Sequence, residues 1–305
     1  LGIALLCQSL PAETFHDPWN PAAGLFPFLL LILLCWSLAC GDLALLPLTV
    51  LVVSFLAQTH LTYLVPSAAM LTVGLGGLIA GRLAARWRAH AKPMAPPALP
   101  GKREGEPIWR WLVAATLVAA VCWSLPAIDE LEHSPGNLSL IVQTARQRGP
   151  TLGAGVGWNA VVRAVGVKPW WLYVPATAWD RKFDVRKAPP SATRDSTIAM
   201  IAALGLVAAA GFLRRRRDVG AAAVIALVLC ASLDVIVAPT PIKPLLAATT
   251  GYTAWWGSML GMWVWLVLAW ALWLSLRWLA LANGRLGDRW AGWASRLPVR
   301  ARPLA

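Results

Sequence analysis

Seven apolar blocks run along the chain, separated by stretches where arginines, prolines and polar side chains collect. They cover about 25–39, 43–57, 61–80, 111–125, 198–213, 219–237 and 255–276. Such blocks have the length of membrane-crossing helices, which take roughly 20 apolar residues each. A shorter apolar run, LGIALLCQSL, opens the chain without a charged n-region and is not expected to be a signal peptide. It reads as the end of a membrane helix, and the chain reads as the C-terminal part of a larger protein. The pattern predicts an all-α fold: a polytopic transmembrane helical bundle of about seven helices, an N-terminal stub and one long outer loop.

The organisation follows from the same pattern. Membrane helices fill 1–83 and include an HDPWNP loop and a QTH turn. Residues 84–108 form a basic, proline-rich linker whose composition predicts disorder. One membrane helix occupies 109–125, an extracytoplasmic segment 126–197, three further helices 198–280, and a basic tail 281–305. Within 126–197 the run LSLIVQTARQ predicts a short helix capped by Asn137.

Charge adds an orientation. Arg82, Arg86, Arg88, Lys92, Lys102, Arg103 and Arg110 lie between the third and fourth blocks, and Arg214 to Arg217 form the turn between the fifth and sixth. Arg277, Arg285, Arg289, Arg296, Arg300 and Arg302 follow the seventh. With one helix per block, all three segments fall on one side, and the positive-inside rule makes that side cytoplasmic. The predicted aromatic belts are Trp170, Trp171, Trp255 and Trp256 outside, with Trp109, Trp111 and Trp278 inside.

Composition agrees with a membrane location. Hydrophobic residues make up 58% and charged residues 13%, against about 25% charged in soluble domains. The net charge of +13 would suggest nucleic acid in a soluble protein. Here the basic residues flank apolar blocks and no recognition motif accompanies them, so membrane lipid is the expected partner and nucleic acid is not. Cys7, Cys35, Cys40, Cys122 and Cys230 lack zinc or CxxC spacing and read as small buried hydrophobes.

The residues with chemical capacity fall on the predicted outer side. Glu13, His16, Asp17 and Asn20 stand in PAETFHDPWNP, where a polar binding surface and an ordinary proline-closed turn are both consistent. Gln58, His60 and Tyr63 stand at a helix–helix turn, lining a cavity or meeting headgroups and water. Asp129, Glu130, His133 and Asn137 follow the fourth block, as a base or metal-linked carboxylate would, or as a solvated loop. Asp234 stands near the outer end of the sixth block. No block carries an ionisable residue convincingly at its midplane, which disfavours a proton relay or ion-coupled transporter. Phosphate-loop, GxSxG and HExxH motifs are absent.

Three stretches together carry a resemblance: DPWNPAAGLFPFLLLILLCWSLACGD, LPLTVLVVSFLAQTHLTYLVPSA and WSLPAIDELEHSPGNLSLI. They resemble the C-terminal half of bacterial, especially actinobacterial, membrane glycosyltransferases of the GT-C architecture. The resemblance covers about 13–141. It implies sugar transfer from a polyprenyl-phosphate donor, on the outer face, to an envelope glycan, lipid or protein acceptor. A carboxylate would take the acceptor proton, and cationic groups or a divalent metal ion would stabilise the departing phosphate. Arg146, Arg148, Arg163 and Lys168 are candidates for the phosphate. In that architecture the catalytic carboxylate lies in the first outer loop, before the region matched here. The catalytic residue is therefore unassigned, and Asp17, Asn20, Gln58, His60, Tyr63, Asp129, Glu130 and Asn137 are expected to contact substrate. A non-enzymatic scaffold of envelope assembly is the competing expectation. A transporter would show repeats or broken midplane helices, and none is evident.

Overall fold

The computed structural model describes residues 2–7, 10, 20–90, 107–146, 149–173, 185–242 and 254–282. The described residues are helical wherever the sequence placed an apolar block. After α1 (Gly2–Cys7) and the single turn α2 (Asn20–Ala23) come α3 (Leu25–Cys40), α4 (Leu46–Thr59), α5 (Leu64–His90) and α6 (Ile108–Glu132). The stretch 126–197 supplies α7 (Asn137–Arg146), α8 (Ala154–Val165) and α9 (Trp170–Tyr173). The last three are α10 (Ser191–Leu213), α11 (Arg217–Val237) and α12 (Gly257–Ala282). The fold is an all-α polytopic bundle. The linker expected to be disordered over 84–108 is helical at both ends, because α5 continues to His90 and α6 begins at Ile108; residues 91–106, like 283–305 of the basic tail, lie outside the described residues.

Among the described residues six segments are long and apolar enough to cross a bilayer: Pro21–Cys40, Leu61–Trp87, Ile108–Glu132, Ser191–Leu213, Arg217–Val237 and Gly257–Ala280. The seventh, Leu43–Thr59, is shorter. It begins with a 3₁₀ turn at Leu43–Leu45 and continues as α4 after Pro47, whose missing N–H costs nothing in a first helical turn. Leu43–Thr59 rises about 25 Å, a few ångströms less than a hydrocarbon core of about 30 Å. The polar Gln58, Thr59 and His60 therefore mark its end.

Helices α3 and α11 form the centre. Phe28, Leu31, Ile32 and Cys35 of α3 and Ala222, Ile225, Ala226 and Leu229 of α11 belong to one buried apolar cluster, with Met259, Leu260 and Trp263 of α12. Helices α4 and α6 lie at the periphery, and α6 packs on α4 along one side. Leu117, Val121 and Leu125 of α6 and Leu206 of α10 are exposed. An apolar exterior of this kind suits lipid tails, which are as apolar as the side chains that meet them.

Lipid supplies no hydrophobic drive between helices, so close backbone approach decides which pairs form. Helix α5 meets α3 through Gly74 and Gly77. A Cβ at Gly77 would stand 2.7 Å from Ala39 Cβ, and one at Gly74 would stand 3.1 Å from the Cys35 carbonyl oxygen. Gly76, on another face, has open space.

The expected outer aromatic belt is corrected. Trp170, Trp171, Trp255 and Trp256 are buried in the bundle, because their indole rings fill its core. Trp170 Nε1 donates to Ser258 Oγ at 2.8 Å, and Trp171 Nε1 donates to the Ala164 carbonyl at 2.9 Å. Trp109 and Trp278, expected at the other face, are exposed.

The two ends of the bundle differ. Arg214 lies over the Trp278 ring at 5.6 Å, and a Cβ at Gly81 would stand 2.6 Å from Arg217 Nη1. The basic ends of α5, α10, α11 and α12 thus meet at one end. The opposite end carries α2, the 3₁₀ turn Leu61–Tyr63 (Tyr63 Oη to the Pro21 carbonyl, 2.5 Å) and the pairing of Thr151 with Pro241.

Replacing Gly77 with leucine is expected to destabilise the bundle by about 1–3 kcal/mol through overpacking against α3. Gly76→Leu is expected to change stability by no more than about 0.5 kcal/mol. Thermal unfolding in detergent measures both, and equal destabilisation would contradict the α3–α5 contact.

Candidate functional site

The polar end of the bundle gathers two of the three clusters expected on the outer side. The third is not described at its centre: Glu13, His16 and Asp17 lie outside the described residues. Asn20 is the first residue of α2. Asp234 reaches α8, where a Cβ at Gly157 would stand 2.2 Å from its Oδ1. That oxygen is buried and has no hydrogen-bond partner among the described residues.

Gln58 has a structural partner that the helix rules explain. Pro126 sits inside α6 and has no N–H to give to the carbonyl four residues earlier. That carbonyl belongs to Cys122, and Gln58 Nε2 donates to it at 3.0 Å. One turn away on α4, Ser54 Oγ accepts from Trp123 Nε1 at 3.0 Å. The glutamine of the QTH turn thus replaces the hydrogen bond the proline removes, and the proline leaves a docking point for α4.

Tyr63 is 1% exposed, and its bond to Pro21 ties the turn to α2. His60 caps the Leu61–Tyr63 turn. Its Nδ1 accepts from the Thr62 backbone N–H at 3.3 Å and lies 2.8 Å from Thr62 Oγ1. With Nδ1 accepting, the neutral ring carries its proton on Nε2. Burial holds the His60 pKa below its ordinary value, so the ring is neutral at pH 7. Nε2 has no hydrogen-bond partner among the described residues, and His60 is half-buried at the turn.

The acidic pair is on a helix rather than in a loop. Helix α6 runs through Pro126 to Glu132, so Asp129 and Glu130 occupy its last turns. Asn137 does not cap α7 with its side chain, because the carboxylates of α6 already fill that place. The Asn137 N–H donates to Asp129 Oδ2 at 3.0 Å. The Leu138 and Ser139 N–H groups donate to Glu130 Oε2 at 3.0 and 3.2 Å, and Ser139 Oγ donates to Glu130 Oε1. A helix N-terminus leaves such N–H groups without intrahelical partners, and carboxylates also favour its positive dipole end. His133 Nδ1 lies 3.2 Å from Asp129 Oδ1.

Among the described residues no group of three or more His, Cys, Asp and Glu side chains could hold a metal ion. The divalent ion implied by the resemblance has no ligand set among them. Of the cations considered for phosphate, Arg163 donates from Nη2 to the Lys187 carbonyl at 2.9 Å. Lys168 is exposed in a turn with φ of 64°. The Arg146 side chain and Arg148 lie outside the described residues.

No protein-family model, curated protein or solved structure matches this chain. Its site must be read from its own residues.

Helix α8 covers the polar end, and sequence reading missed it. Its signal is the spacing of Gly157, Ala160, Val161, Ala164 and Val165, all buried on one face. Its final carbonyls are held by side chains from other elements. Ala164 O accepts from Trp171 Nε1, Val165 O accepts from Trp265 Nε1 at 2.9 Å, and Val162 O accepts from Thr197 Oγ1 at 3.3 Å. On another face, Asn159 Nδ2 donates to the Val185 carbonyl at 3.2 Å.

Gln58→Leu is expected to cost about 1 kcal/mol, the net worth of one hydrogen bond. In a Pro126→Ala background, where residue 126 regains its N–H, the same substitution should cost much less. A double-mutant cycle on unfolding free energy reads the coupling, and strict additivity would refute the exchange.

Glu130→Ala is expected to weaken the start of α7 by about 1 kcal/mol, the usual worth of a cap. Amide exchange at Leu138 and Ser139 should then speed up about five-fold, with the Ala115 amide of α6 as an unchanged reference.

Proposed function

We propose that this chain is a membrane glycosyltransferase region of GT-C type, with its arginine end in the cytoplasm and its polar end on the outer face. The observation that carries the reading is His60. Its neutral ring keeps an N–H without a described partner at the polar end, beside side chains already held in place. An uncharged donor of this kind suits a sugar hydroxyl or the oxygen of a lipid phosphate. The three stretches that carry the resemblance support the same reading, and so does the basic excess at the opposite end.

In such a transfer the acceptor oxygen bonds to the anomeric carbon of the donor sugar. The bond from that carbon to the polyprenyl-phosphate oxygen breaks, and the phosphate leaves with the electron pair. The acceptor proton passes to a carboxylate base, a role no described residue is assigned here. Gln58, Tyr63, Asp129 and Glu130 would hold the framework around the substrates, with His60 as the contacting group.

A second reading, a non-enzymatic scaffold of envelope assembly, has its own support. Gln58, Tyr63, Asp129 and Glu130 each have an intramolecular hydrogen-bond partner.

The test is transfer of labelled sugar from a polyprenyl-phosphate donor in right-side-out vesicles of the native membrane. The expected result is that His60→Ala lowers transfer about ten-fold or more, the effect of roughly 1.4 kcal/mol in the barrier. His60→Gln, which keeps an amide donor near the place of Nε2, should recover part of it. Unchanged transfer in both variants would remove His60 from the reaction. Absence of any transfer by the unaltered protein, with capture of an envelope partner, would favour the scaffold.

A further inference from the structure

The turn between α10 and α11 contains four consecutive arginines, and the structure sends the guanidinium groups of Arg214, Arg216 and Arg217 to different places. The backbone of the turn closes on itself. The Arg214, Arg215 and Arg216 N–H groups donate to the carbonyls of Ala210, Phe212 and Gly211 at 2.9, 3.1 and 2.8 Å. Arg215 has φ of 59°, a left-handed conformation that costs an ordinary L residue about 1–2 kcal/mol and that glycine adopts freely. The guanidinium groups are therefore not what holds the turn together.

Arg216 is neutralised by Asp218 through a two-point contact at 2.9 and 3.1 Å. The others have no such carboxylate partner among the described residues. Arg214 lies on the Trp278 ring at 5.6 Å, and Arg277 lies on the Trp273 ring at 5.7 Å. Arg217 rests against α5 at Gly81. A guanidinium placed over a ring keeps N–H groups for another acceptor, and their fork matches two oxygens of a phosphate. Asp42, in the turn after α3, is a further acidic residue near this end through Cys40.

The surroundings distinguish an amphiphile from a free anion. Leu213 is 84% exposed immediately before Arg214, and Phe212, Trp278 and Leu279 are exposed beside it. Cationic forks bordered by exposed apolar and indole side chains fit a molecule with a phosphate head and hydrocarbon tails.

We propose that this corner, formed by Arg214, Arg215, Trp278 and Arg277, binds the phosphate of an anionic phospholipid in the adjoining leaflet. The proposal is independent of the glycosyltransferase reading. It requires only that the bundle lie in a membrane.

The test uses the full chain in phosphatidylcholine bilayers with trace spin-labelled phosphatidylglycerol or phosphatidylcholine, reading the immobilised fraction of each. The unaltered protein is expected to prefer phosphatidylglycerol several-fold. Arg214→Gln with Arg215→Gln should remove most of that preference and bring the two lipids close to parity. Trp278→Leu leaves the net charge unchanged and removes the ring under Arg214, so it should lower the preference by a smaller factor. Arg194→Gln, at the opposite end of α10, should leave it intact. An unchanged preference in the double variant, or an equal loss in Arg194→Gln, would overturn the proposal. So would complete displacement of the lipid by millimolar inorganic phosphate, which would make the corner a soluble-anion site.

Discussion

A bilayer offers no water to a backbone carbonyl, and this constraint organises the fold. Regular helices satisfy their own backbone groups, so the instructive positions are those where the ladder is interrupted. Pro126 opens one carbonyl in α6, and Gln58 of another helix fills it. The last turn of α8 leaves carbonyls that Trp171, Trp265 and Thr197 fill. Trp36 and Trp263 likewise donate to carbonyls of α11, at Asp218 and Ala222. Each such bond joins two elements, so satisfying the backbone also fixes which elements are neighbours.

The same requirement absorbs much of the polar chemistry that the chain carries. Carboxylates that look free in the sequence hold the first amides of α7, and a buried tyrosine holds α2. His60 is different because one ring nitrogen caps a turn while the other has no described partner. The placement of functional weight on His60 follows from that asymmetry, since a group already bonded within the protein would have to break a bond to meet a substrate. Burial keeps the ring neutral and makes it a donor that adds no charge to the membrane edge.

The charge distribution gives the bundle a direction. Arginines converge at one end, where their aliphatic stems and aromatic partners suit the boundary between hydrocarbon and headgroups. The other end is closed by α8 and the short pairing at Thr151 and Pro241. In the two proposals the ends meet different partners: anionic headgroups at the arginines and sugar-bearing lipid at His60.

The sequence by itself determined the all-α class, the existence and approximate bounds of the apolar helices, and the grouping of basic segments. These are properties of local composition: runs of leucine, alanine and valine between polar punctuation leave little but a helix in lipid. It also made the α7 helix legible at 137–146. Only the tertiary structure decided that Trp170, Trp171, Trp255 and Trp256 are core residues, because an indole at a helix end is equally suited to headgroups and to a carbonyl of a neighbouring helix. It alone decided that α6 continues through Pro126, since the compensation comes from Gln58, distant in the chain. The roles of Asp129, Glu130 and Asn137 were hidden for the same reason. Their residue types suit a site, a turn or a cap alike, and the geometry of α6 against α7 selects the cap. Long-range hydrogen bonds are set by which helices meet, and which helices meet depends on small-residue contacts such as Gly77 on Ala39, whose partner a linear pattern does not name.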